Sequence, residues 1–103
     1  MNFTLPYFIL DVKCKVGFKG GCKEHKTLKI KKLSDKKYSI KTCFEQCMLN
    51  KKSMDPDVKF ECDGFFIGTK DSSCNLYKSG CTKDAGKPYT YYPIENCEGK
   101  QGF

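Results

Sequence analysis

Arginine is missing from this chain, and lysine supplies all 19 of its positive charges. A guanidinium is a planar fork that grips phosphate or carboxylate at two points, whereas an ammonium is a mobile point charge. Any anion recognition here is therefore delocalised and salt-sensitive. Histidine is almost missing too: His25 stands alone in a lysine- and glycine-rich stretch. A hydrolytic centre needs a nucleophile, a base and an orienting group to converge. No nucleophile motif accompanies His25, so it reads as a solvated loop residue, and the chain reads as a non-enzyme without catalytic residues. The chain has no Cys-x-x-Cys redox pair, no internal repeat and no run apolar enough to span a bilayer. The apolar opening, Phe3 to Leu10, is interrupted by Pro6 and ended by Asp11. It lacks the basic flank and small-residue cleavage site of a signal peptide. It reads as a strand of a mature domain, with residues 1–6 expected to be flexible or to carry an expression start.

What the chain has instead is eight cysteines in 103 residues. One domain, 1–103, is the expectation at that length. With 39% hydrophobic and 30% charged residues its core is thin, and small domains with thin cores add covalent or metal staples. Structural zinc sites favour close Cys-x2-Cys knuckles or Cys/His mixtures. Here the only close pair is Cys43 and Cys47. Disulfides in an oxidising compartment fit better than metal, and no cofactor is implied. Asn2-Phe3-Thr4 is an N-glycosylation sequon, which would matter on a secretory route. Eight cysteines allow roughly a hundred pairings, and composition does not choose among them.

The charge is unevenly placed. Between Lys13 and Lys41 there are 11 lysines against Glu24 and Asp35, and from Thr42 onward 8 lysines face 9 acids. One third of the chain carries the whole excess.

Along the chain, Tyr7 to Val16 reads as a strand broken by Gly17, Gly20 and Gly21. Thr27 to Leu33 reads as a second, with Leu28 and Ile30 on one face and Lys29 and Lys31 on the other. A short helix follows, for which Ser39 has cap chemistry and Thr42-Cys43-Phe44-Glu45 has the capping-box pattern. Phe44, Cys47 and Met48 would bury one side of it, and Cys43 and Cys47 would share a face. Asp55-Pro56-Asp57 prevents its continuation. Val58 to Ile67 and Ser73 to Lys78 read as a hairpin turning at Gly68 to Ser72, and Tyr89 to Ile94 as a last strand. The expected fold is α+β: a single short helix packed on a roughly five-stranded antiparallel sheet, disulfide-rich.

A helix with Cys43-x3-Cys47, a strand opening Cys62-Asp63-Gly64-Phe65, and Cys74-Asn75-Leu76 closing the hairpin together resemble the PAN/apple superfamily. Ser39 sits where that family often places its helix cap. The close match covers about a third of the chain, and Cys14 and Cys97 extend it to nearly the whole length. The resemblance implies the pairs Cys43–Cys74 and Cys47–Cys62, and in its apple branch Cys14–Cys97. Cys22 and Cys81 then pair as an extra bridge, a departure from the family's commoner pattern. A loop of about 80 residues closed by Cys14–Cys97 would constrain the unfolded chain by about 4–5 kcal/mol.

Members of that family serve as extracellular adhesion modules, some binding heparin-like chains and others galactose-type sugars or proteins. The corresponding expectation is a secreted or cell-surface binding module, one part of a larger protein, with a sulfated glycan or extracellular protein as partner and no nucleic acid. Lys29, Lys31 and Lys32, followed by Lys36, Lys37 and Lys41, would form one basic stripe beside the helix N-terminus. The bland reading of these lysines is a solvated face that keeps the domain soluble. Tyr89, Tyr91 and Tyr92 are the alternative, a sugar-stacking platform; as rings filling a thin core they would bind nothing. The remaining class is a structural or inhibitor-like module with no glycan ligand.

Overall fold

The computed structural model describes residues 8–51 and 61–102. Residues 1–6, the Asn2 sequon, the Asp55–Asp57 stop and the opening of the Val58–Ile67 run lie outside them. In chain order the elements are strands β1 (Phe8–Cys14), β2 (Phe18–Lys19) and β3 (Gly21–Cys22), a one-turn helix α1 (His25–Leu28), strand β4 (Lys29–Leu33) and the main helix α2 (Ile40–Lys51). Then come β5 (Gly64–Gly68), β6 (Cys74–Tyr77), β7 (Lys83–Asp84), β8 (Tyr89–Pro93), a 3-10 turn (Ile94–Asn96) and β9 (Cys97–Gly102).

Five strands form one antiparallel sheet in the order β2-β8-β5-β6-β4. Two small ladders flank it, β1 with β9 and β3 with β7. With α2 on the sheet and four disulfides, the fold is a small disulfide-rich α+β domain. Both faces of the central strands are apolar because successive side chains point to opposite sides. Phe65, Leu76 and Cys74 face α2 in a core with Val12, Tyr38, Cys43, Phe44 and Cys47. Phe66 and Tyr77 face the other way, with Cys22 and the partly buried Phe18, Leu28, Tyr89 and Tyr91. That double demand explains the unbroken apolar run of β5.

Ser39 caps α2: its Oγ accepts from the Thr42 backbone N–H at 3.2 Å, and Thr42 Oγ1 accepts from the Ser39 N–H at 2.8 Å. This is a reciprocal capping box with a threonine in the usual glutamate place. Thr42 itself lies inside the helix, so Glu45 is not its capping partner. Cys43 and Cys47, one turn apart, are fully buried. They bond to Cys74 on β6 and to Cys62 just before β5. Cys14–Cys97 joins directly opposed residues of β1 and β9, and Cys22–Cys81 fastens β3. Three of these pairs are those that the resemblance implies, and Cys22–Cys81 joins the two cysteines that it leaves over.

One strand departs from its sequence pattern. Thr27 and Leu28 belong to α1, and β4 carries a bulge between Lys29 and Lys31. Leu28 and Ile30 were expected on a shared face, but Leu28 packs with Phe66 and Tyr77 whereas Ile30 packs on the α2 side. A helical turn followed by an extra residue in the strand breaks the period of two that the pattern assumes.

Candidate functional site

The bulge divides the expected lysine stripe. Directly opposed residues in a ladder project to one face. Lys29 lies opposite Tyr77 and Lys32 opposite Asn75, both on the face away from α2, while Lys31 lies opposite Leu76 on the α2 side. Lys31 and Lys36 instead gather around Asp35, whose carboxyl sits below its ordinary range because the Tyr38 hydroxyl donates to it at 2.6 Å, with those two lysines adding to the effect. Lys36 Nζ also lies 5.3 Å from the centre of the Tyr38 ring, a cation–π contact. Lys32 is 3.9 Å from Asp71, a surface pair with both partners well exposed. Lys37 is exposed in the loop before α2, and Lys41 is exposed in its first turn. The six lysines are thus split between the two sides of edge strand β4, the loop after it and the first turn of α2, and several already have anionic or aromatic neighbours.

The tyrosine set divides as well. Tyr92 stacks on Phe65 at 5.4 Å on the α2 side, where burial raises its phenol pKa. Tyr91 stacks on Phe66 at 4.5 Å and meets Phe18 at 4.8 Å on the opposite side. Tyr89 meets Phe66 edge-on at 6.4 Å. Alternation along β8 is the reason: neighbours in a strand cannot share a face.

What the fold does bring together is one member of each set. A cavity of ≈ 260 Å³ opens on the second face, with Phe66, Tyr77 and Tyr89 in its lining; Phe66 and Tyr77 are buried and Tyr89 is partly exposed. His25, Lys29 and Lys87 stand around it, Asn75 contributes a wall, and Gly21 and Cys22 complete the lining. Every ionisable lining side chain other than the two phenols is basic, and no carboxylate lines it. Among the described residues neither Lys29 nor Lys87 makes a salt bridge.

Local structure sets each of these groups in place. The one-turn helix α1 places His25 at the cavity and Leu28 against its floor. Glu24, just before it, accepts from the Thr82 N–H at 2.7 Å, which holds its carboxyl below the usual range and ties α1 to the β7 side. The Lys23 N–H adds a bond to Thr82 O at 3.0 Å, and Cys22–Cys81 locks the same pair of segments. Gly20 permits this approach: its φ is +139° and a Cβ there would sit 2.7 Å from Asp84 O. Tyr77 is 6% exposed, and its phenol is pushed up to about 12, first by burial and then by neighbouring Tyr89. It stays neutral and protonated at any physiological pH.

Asn75 is 3% exposed on the central strand β6. Its amide nitrogen donates to Phe66 O and to Ser73 Oγ, both at 3.1 Å. Both amide hydrogens are committed within the protein, so its carboxamide oxygen is the group left for a ligand. Among the described residues no donor reaches that oxygen, and Asn75 lies in the cavity lining.

Lys29 and Tyr89 were legible as candidates in the sequence, but His25, Asn75, Tyr77 and Lys87 were not. Two signals were present: an asparagine inside the apolar strand Cys-Asn-Leu-Tyr, and a lysine at the start of Lys-Pro-Tyr. Among the described residues no cluster of three or more His, Cys, Asp or Glu is placed to hold a metal, and no helix is long and apolar enough to cross a membrane. No family model, curated protein or solved structure matches the chain. The fold and site therefore define its class by themselves: a disulfide-locked α+β domain with a basic-rimmed, aromatic-floored cavity.

Proposed function

We propose that this protein is a PAN/apple-like binding module of an oxidising, extracellular setting that recognises an anionic glycan. The observation that carries the reading is the cavity on the second face, where His25, Lys29 and Lys87 surround an aromatic floor without a lining carboxylate. Tyr89, the one aromatic lining residue that is not buried, offers its ring to the apolar side of a sugar, and the lysine cations attract sulfate or carboxylate groups. Lysine without arginine suits a delocalised, salt-screened attraction. Four disulfides suit an oxidising compartment. The reading is of a binder and not an enzyme, since the lining offers the cavity's one imidazole no serine, threonine or free thiol to activate and no carboxylate to orient it.

Heparin-affinity chromatography tests it. The wild type is expected to elute above physiological salt, and Lys29→Ala/Lys87→Ala to elute clearly earlier. Lys31→Ala/Lys36→Ala, around Asp35, is expected to change elution little. Elution of the wild type below physiological salt would remove the glycan reading. A larger effect of the Asp35-side pair would move the site to the other face.

A further inference from the structure

We infer that the cavity takes a single terminal sugar ring that carries an acidic group, bound end-on, and not a stretch of polyanionic chain. The inference rests on the proposed glycan reading and narrows it. At ≈ 260 Å³ the cavity lies just below the usual range of small-molecule sites, about 300–1,000 Å³, so it holds one ring. The three basic groups line one cavity instead of following a strand, which places them around a single ligand ring. Tyr89, the partly exposed ring of the lining, supplies the apolar surface that a sugar can touch, and it is held edge-on at 6.4 Å by Phe66, which is itself 1% exposed.

Asn75 discriminates between two kinds of acidic ring. Its amide donors are already used by Phe66 O and Ser73 Oγ, so the site presents an acceptor that needs a donor from the ligand. A sugar hydroxyl supplies that donor. A sulfated aromatic ring, such as a tyrosine sulfate side chain, does not, and would leave the carboxamide oxygen desolvated and unpaired. A hydroxylated acidic ring satisfies the floor, the rim and the wall together.

Titration calorimetry of the intact, disulfide-bonded protein with methyl β-D-glucuronide, methyl β-D-glucoside and phenyl sulfate separates the alternatives. The glucuronide is expected to bind, and Lys29→Met or Lys87→Met should each weaken it about tenfold, the loss of one charge-assisted hydrogen bond. Both lysines are exposed or line open space, so these variants should fold; far-ultraviolet circular dichroism checks this. The glucoside and phenyl sulfate should each bind at least about tenfold more weakly than the glucuronide. Equal binding of the glucoside would make the cavity a neutral-sugar site, and equal or tighter binding of phenyl sulfate would make it a sulfated-peptide site; either overturns the inference. Undiminished glucuronide binding by both lysine variants would place the ligand elsewhere. If heparin is retained through Lys29 and Lys87 but no glucuronide binds, the end-on inference falls and the broader glycan reading stands. If neither ligand is held, both fall.

Discussion

Tyr77 has no counterpart among the sequence-level candidates, yet it couples the floor of the cavity to the stability of the fold. Its folded pKa, about 12, exceeds the ordinary phenol value near 10. As pH rises, the unfolded chain loses this proton first. The stabilisation is therefore full below about pH 10 and is lost as pH climbs from about 10 through 12. Tyr77→Phe should flatten that alkaline decline, read by urea denaturation at pH 9 and 11; a residual slope is expected from Tyr91 and Tyr92, whose phenols burial also raises. Gly64 is a second residue with an outsized role. A Cβ there would sit 2.8 Å from the Tyr91 ring and hydroxyl, so the glycine lets Tyr91 lie flat across β5. Gly64→Val should destabilise by about 1–3 kcal/mol through overpacking, measured by the same denaturation. At this scale the sequence marks the residues by type, but a phenol in Cys-Asn-Leu-Tyr does not announce which face it will occupy.

Among the elements, α2 was the most legible and β4 the least. Capping chemistry, the Cys43/Cys47 spacing and the Phe44-Cys47-Met48 stripe are all local, and each states its own requirement. What remained open was the choice of cap, and the hydrogen bonds decide it for Ser39. Ser39→Ala should cost about 1 kcal/mol of stability, while Glu45→Ala should change it by no more than a few tenths. Thermal melts of the two variants check this, and the reverse ranking would restore Thr42 as the cap. In β4 the alternation of lysine with Leu28 and Ile30 was real, but the bulge made its phase misleading. β4 is also an edge of the sheet. Exposed lysines and a bulge on an edge strand discourage pairing with another chain, which accounts structurally for part of the lysine excess.

Across the whole molecule the disulfides tie sequence-distant segments that the small ladders alone would hold weakly. Cys47–Cys62 closes a separation of 15 residues and Cys14–Cys97 one of 83. By loop closure they contribute about 3 and 4–5 kcal/mol respectively. Cys22–Cys81 is different in consequence, because β3 and β7 pair over only two residues each and form one side of the cavity. Cys22→Ser/Cys81→Ser should leave the α2 core folded, with native far-ultraviolet circular dichroism, but should weaken heparin retention. Unchanged retention would separate the cavity wall from binding.

The sequence by itself determined the class of fold and the kind of chemistry on offer. The helix, the hairpin and the demand for staples follow from local spacing and from a core too thin to stand alone, and lysine without arginine follows from composition. Only the tertiary structure decided where that chemistry converges. Face assignment depends on register, a bulge of one residue reverses it, and α1, β3 and the β7–β8 turn come together through contacts between segments some 60 residues apart. For that reason the apparent lysine stripe and the apparent tyrosine platform each divided between the two faces. The cavity drew one residue from each and added His25, Asn75 and Lys87, which the sequence had set apart.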